Sequence, residues 1–194
     1  MSDPTAEASA DRTNAAIGWV LVAVVALSAV HSALTRQFLW SGFEAAFVVL
    51  VALPTAVADD WRVLAPWPLL LVGAASFAGQ SVGLHQELTG YTAVAAFALV
   101  GVAQLDAFTD VEMSQRFSIA FAALTTMAVQ GVWTIGRYAS DQLLGSDYVR
   151  SQAQIQWDFV YVTLVAVVIG GVFELYFRRT ETDGSPDEPT LRDS

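Results

Sequence analysis

The chain has no cysteine, and all nine of its basic residues are arginine, so lysine is missing too. Without a thiol there is no disulfide framework, thiolate metal site, iron–sulfur cluster or cysteine nucleophile. Without lysine there is no phosphate-binding lysine of the P-loop kind, no Schiff base to retinal or pyridoxal phosphate and no kinase-type lysine. Charge itself is scarce: 14% of residues carry one, where a soluble domain has about 25%. The charge there is leans acidic, 19 acids against 9 bases for a formal net charge of −10. Phosphate backbones repel such a chain, so nucleic acid is not an expected partner.

What is present is apolar, and the few charges cut it into windows. Thr13–Thr35, Val63–Gln86, Leu88–Leu105, Phe117–Gly136 and Phe159–Phe173 contain no acid and no arginine, and Gln37–Ala58 contains one acid, Glu44. Each is close to the ~20 residues that carry a helix across a ~30 Å hydrocarbon layer. The fourth and sixth borrow flanking residues such as Ala107, Phe108, Trp157 and Tyr176. The expected fold is therefore all-α, a polytopic integral membrane bundle of about six transmembrane helices over residues 15–177. Polar, acidic tails at 1–14 and 178–194 read as disordered. Asp3, Glu7 and Asp11 precede the first apolar run with Arg12 as the lone base, which fits a retained first helix better than a cleaved signal.

Orientation follows from the arginines. With the N-terminus inside, Arg12, Arg62, Arg116, Arg178, Arg179 and Arg192 lie on the cytoplasmic side and Arg36, Arg137 and Arg150 outside. That bias favours N-in and C-in in the cell membrane. Trp40, Trp61, Trp67, Trp133 and Trp157 fall near the window ends, where amphipathic rings prefer to sit. Pro66 and Pro68 suit the opening turn of the third helix, and Pro54 predicts a kink in the second.

Polar groups inside spans each need a partner or water, so they are the informative ones. N-in orientation places His31, Glu44, Gln80, His85, Glu87, Gln130, Arg137, Asp141 and Asp158 in the outer half, and Gln104, Asp106 and Glu174 in the inner. Thr126, Gln130, Thr134, Arg137 and Asp141 recur at helical spacing along one face of the fifth helix. Ser28, His31, Ser32 and Thr35 form a shorter stripe on the first. The functional reading is an outward polar cavity built from His31, Glu44, Gln80, His85, Gln130, Thr134, Arg137 and Asp158, with Arg137 held by Glu44 or Asp158. Its plainer counterpart is that these groups hold helices together near a wet interface.

Gly79-Gln80-Ser81-Val82-Gly83 matches the pattern G-x-S-x-G, with His85 close behind. The nucleophile elbow needs a strand-to-helix turn, and this match sits in an apolar helical window, where Gly79 and Gly83 read as a packing surface. An intramembrane hydrolase pairing Ser81 with His31 is the remote enzymatic reading. No metal spacing such as His-Glu-x-x-His occurs, and no cofactor is expected.

The run Val132–Arg137, then Ser140–Gly145, Gln156–Val160 and Phe173–Arg179 resembles a group of uncharacterised multi-pass membrane proteins common in halophilic archaea. These look like W-E-x-x-E on the fifth helix and D-x-x-x-D on the sixth. Trp133 and Asp158 match that pattern. Thr134 and Arg137 stand where acids would be, as does Val162, and the histidine pair expected before the fourth helix is absent around Tyr91. The resemblance implies a membrane bundle from a high-salt habitat. At 1 M salt the Debye length is about 3 Å, so net charge says little about partners there. The leading expectation is a non-enzymatic membrane subunit or scaffold, with the lipid bilayer, a membrane-protein partner or a second copy as its neighbours. The alternative is a small transporter or ligand-binding protein whose Arg137 suits a carboxylate- or phosphate-bearing solute.

Overall fold

The computed structural model describes residues 4–108, 115–148 and 151–182, with side chains placed for 12–105, 120–148 and 151–172. Six helices follow one another, with no strand among the described residues: α1 (Pro4–Leu34), α2 (Phe38–Ala58), α3 (Trp67–Ser81), α4 (Gln86–Phe108), α5 (Gln115–Leu144) and α6 (Gln152–Thr182). The all-α expectation holds. Four helices are long and apolar enough to cross a membrane, over Arg12–Leu34, Phe38–Ala58, Gln86–Leu105 and Gln152–Val172.

The other two depart from that standard for different reasons. α5 has the length, 30 residues, but carries its polar stripe along one face. α3 is only 15 residues, a rise of roughly 22 Å, shorter than its charge-free window. Its start is set by Pro66 and Pro68, with Asn14 of α1 accepting a hydrogen bond from the Trp67 amide at 2.8 Å. Its end is set by glycine chemistry. Leu84 N–H reaches back to the Gly79 carbonyl at 2.8 Å and Gly83 N–H to the Gln80 carbonyl at 3.1 Å, with Gly83 at φ +77°. That pair of bonds is a Schellman cap, whose left-handed residue costs a glycine nothing. The G-x-S-x-G match is thus a helix stop, and Ser81 Oγ donates to its own helix at Ala78.

α1 ends with the same pair of bonds, Gln37 N–H to Ser32 and Arg36 N–H to Ala33, around a left-handed Arg36. At its other end α1 reaches back to Pro4, so most of the segment expected as a disordered tail is helical. Pro4 fits a first helical turn, and Ala6, Glu7, Ala8 and Ala10 are good helix formers. α6 likewise continues five residues past Phe177, to Thr182. The rest of the expected C-terminal tail lies outside the described residues.

α1, α2 and α3 pack together, as do α4, α5 and α6, and α3 lies against α4 to join the two groups. α4 sits at the middle of the arrangement. Its Ala93, Val94, Ala95, Ala96, Ala98 and Val100 are all essentially inaccessible, small side chains that let neighbouring backbones approach closely. Around it six rings interlock: Phe43 stacks on Phe97 at 5.1 Å, meets Phe77 edge-on at 5.4 Å and touches Trp133 at 4.7 Å, while Trp40 lies 4.5 Å from Trp133. Phe47 completes the set against Phe77 and Phe97. Trp40 and Trp133 are therefore core residues, not the interfacial anchors their positions suggested, whereas Trp61 and Trp157 are exposed.

Phe47 fits because α3 offers it Gly73: a methyl group there would stand 2.6 Å from the ring's Cζ. Gly73→Ala is expected to cost about 1–3 kcal/mol through overpacking. Gly42→Ala, at a helical glycine facing open space, is expected to be neutral or to gain up to about 1 kcal/mol. Thermal unfolding of the two purified variants in the same detergent checks the contrast.

Candidate functional site

The N-terminal ends of α2, α4 and α6 meet the C-terminal ends of α3 and α5, and between them lies a cavity of about 280 Å³. Trp40, Gln80, Tyr91, Gln130, Trp133 and Asp158 are among its walls, with Arg137 and Tyr148 beside them and Glu87 and Asp147 exposed at its rim.

Its organising group is Asp158, 2% exposed at the start of α6. One carboxylate oxygen accepts from the Tyr91 hydroxyl of α4 at 2.6 Å, and the other from an Arg137 amino group of α5 at 2.8 Å. The second Arg137 amino group donates to the Tyr148 carbonyl in the α5–α6 connection. Asp141, one turn beyond Arg137, holds the same connection by accepting from Ser146 Oγ at 2.8 Å and Tyr148 N–H at 2.9 Å. Helix spacing explains the division of labour: Arg137 and Asp141 share a face of α5 and grip one loop from two points.

Gln130 lies two turns deeper on that face and is 1% exposed. Its amide nitrogen reaches Thr134 Oγ1 at 3.5 Å, while its side-chain oxygen is buried without a hydrogen-bond partner among the described residues; the residue itself is part of the cavity wall. Leaving a buried acceptor unmade costs about 1–3 kcal/mol. Gln80, opposite on α3, accepts at its side-chain oxygen from Thr89 Oγ1 at 2.8 Å.

Of the eight residues expected to gather, four line this cavity: Gln80, Gln130, Arg137 and Asp158. Thr134 stands behind them, bonded to Gln130. Between the two acids offered as partners for Arg137, Asp158 takes it and Glu44 does not. Glu44 is buried elsewhere, against Ser28 of α1. His31 is exposed, and His85, also exposed, adopts a left-handed φ of 42° just before α4 and lines a neighbouring recess with Tyr161. Neither histidine lines the cavity, and no group of three His, Cys, Asp or Glu side chains suited to a metal occurs among the described residues. Nor does a hydrogen bond join Ser81 to either histidine there. Toward the other end of α4, Gln104 is buried with its amide nitrogen unpartnered among the described residues, while the side chains of Asp106 and Glu174 lie outside them. Tyr91 is the residue that sequence reasoning missed. Its place one turn into an apolar helix looks like any interfacial tyrosine, and its partner stands 67 positions away.

Removing one member of the buried pair strands the other. Asp158→Asn is expected to destabilise by about 3–5 kcal/mol, and Asp158→Asn combined with Arg137→Gln to recover much of that loss. A double-mutant cycle on the unfolding midpoint reads the coupling. Tyr148 adds a pH signature: burial first, and the nearby Asp141 next, push its phenol above the usual range, against the pull of Arg137. The unfolded chain then ionises first, near pH ~10, so stability holds below that value and falls as pH rises through the folded value. Tyr148→Phe is expected to flatten the alkaline limb of the stability profile.

A family model described as a domain of unknown function, DUF8268, matches residues 9–64, less than a third of the chain. It covers α1, α2 and the turn after them, and none of α4, α5 or α6. No curated protein and no solved structure matches the chain.

Proposed function

We propose that this chain is a multi-pass protein of the cell membrane, with six transmembrane helices and both ends cytoplasmic, that binds a small cationic amine in the cavity at its outer end. The membrane part of the reading is supported by the outward faces. Val20, Leu27, Leu34, Val132, Ile135 and Leu164 are all more than half exposed, on helices whose polar groups turn inward, and continuous apolar surface of that kind belongs in lipid. It is also supported by the arginine bias and by the resemblance of the C-terminal third to halophile membrane proteins.

The observation that carries the binding reading is Gln130: a buried side-chain oxygen without a donor, on a residue of the cavity wall, asks for an N–H from outside the chain. The remaining walls agree on the donor's charge. Three acids, Asp158, Glu87 and Asp147, line the cavity against one base, Arg137, and Asp158 neutralises that base directly. The buried Trp40–Trp133 pair and Tyr91 add aromatic surface of the sort that attracts ammonium groups. With both amino groups of Arg137 engaged by Asp158 and Tyr148, an anionic solute finds less to hold it than an amine does.

A second reading, a membrane subunit packed on a partner, draws on an apolar groove of about 530 Å³ between α2, α4 and α5. Gly42, Ala46, Ala128 and Gly136 there leave room for a close-packed helix.

The test of the binding reading is Gln130→Met. It removes the unmet acceptor while keeping the volume, so the variant is expected to unfold within about 1 kcal/mol of the parent or above it. Tryptophan fluorescence of the parent is expected to respond saturably to ethylamine or a short diamine and not to acetate, and the response to vanish in the variant. A parent that responds to acetate alone, or a variant that responds as the parent does, overturns the reading.

A further inference from the structure

A second buried acid sits apart from the cavity, and its surroundings differ in kind. Glu44 lies six residues into α2, about 9 Å from the helix start, and is fully inaccessible. One carboxylate oxygen accepts from Ser28 Oγ of α1 at 2.5 Å, and that hydroxyl also lies 3.3 Å from the Phe77 carbonyl of α3. One turn along α1, Ser32 is 1% exposed and faces the same side. The second Glu44 oxygen, Oε2, and Ser32 Oγ are both buried and both lack a hydrogen-bond partner among the described residues.

Charge and coordination point the same way. Among the described residues Glu44 forms no ion pair, since Arg137 is bound to Asp158; the nearest titratable neighbour is His31, exposed between the two serines on α1. A carboxylate shut away without an ion-pair partner loses several kcal/mol of solvation, which the single Ser28 hydrogen bond offsets only in part. Ser28, Ser32, Glu44 and the Phe77 carbonyl contribute five oxygens from three helices and no nitrogen or sulfur, the donor set of a hard cation. A single carboxylate balances a single positive charge, and among the described residues no group of three His, Cys, Asp or Glu side chains gathers to hold a divalent ion. A proton on the Glu44 carboxylate is the competing occupant, and dependence of the fold on sodium at fixed pH separates the two.

We infer that Glu44, Ser28, Ser32 and the Phe77 carbonyl form a sodium-binding site between α1, α2 and α3. This site shares no residue with the amine cavity and stands whether or not the cavity binds a solute. Sodium occupancy ties the three helices together, so it stabilises the folded chain by mass action.

The experiment is thermal unfolding of the purified full-length protein in detergent, with sodium chloride exchanged for choline chloride at constant ionic strength, across pH 6 to 8. The midpoint is expected to rise saturably with sodium. Glu44→Gln is expected to fold, to melt in choline at or above the parent, and to lose the sodium response. Ser32→Ala is expected to keep the fold and to need a several-fold higher sodium concentration for half the effect. A midpoint that ignores sodium, one that responds to acidification alone, or a Glu44→Gln variant that still responds to sodium overturns the assignment.

Discussion

Asp158 is the group on which the cavity end of the bundle depends. Its carboxylate is nearly inaccessible, yet both oxygens are met, by Tyr91 of α4 and Arg137 of α5. Three helices therefore share one charge pair. Because the pair is almost dry, its attraction is poorly screened, and the loss of either partner exposes the full cost of burying the other. Arg137 passes the constraint on to the α5–α6 connection through the Tyr148 carbonyl, and Asp141 fixes that connection from its other side. The cavity lies between these groups, and in its wall Gln130 keeps a buried side-chain oxygen without a partner among the described residues.

Keeping such a pair close requires that the helices carrying it approach closely, and α4 makes this possible. Its alanines present little bulk to α3, α5 and α6, and the volume that small side chains leave is refilled by rings from the neighbours. Phe43 of α2 touches rings from α3, α4 and α5 at once, so the two groups of three helices are joined by aromatic contact as well as by α3 lying on α4. Phe47 shows how narrow the fit is, since it relies on a missing side chain at Gly73. The aromatic floor and the polar roof of the cavity are thus one construction, for Trp40 and Trp133 belong to both.

How much of this was legible follows from what periodicity encodes. Charge-free runs mark helices wherever apolar length is the requirement, and all six appear where the charges allowed them. The α5 stripe was legible as well, because spacing of three and four residues states a face, and Gln130 and Arg137 do line one cavity. Length was less legible where turn chemistry decides it: Gly83 ends α3 inside an unbroken apolar window through two backbone bonds that no hydropathy pattern records. Partner choice was not legible at all. Glu44 and Asp158 are both lone acids near helix starts, and only the packing of α6 against α4 and α5 gives Asp158 its tyrosine and its arginine. The tryptophans mislead for a related reason. A ring near a helix end suits an interface equally well whether it points outward, like Trp157, or into a cavity, like Trp133.

The contrast between the two acids carries the argument further than either does alone. Both are buried near the N-terminal ends of their helices, and both would be untenable as bare charges in a low-dielectric interior. For Asp158 the chain provides its own cation, at a helix end where the long arginine stem reaches without breaking the apolar face. For Glu44 the described residues provide hydroxyls and a carbonyl, groups that lower the cost of a positive ion but supply no positive charge themselves. A chain without lysine, whose arginines all lie outside its apolar windows, has few cations to place among its helices. Glu44 therefore depends on the solution for its counter-charge, which couples the packing of α1, α2 and α3 to the ions around the protein, while α4, α5 and α6 are held by a pair that is internal to the fold.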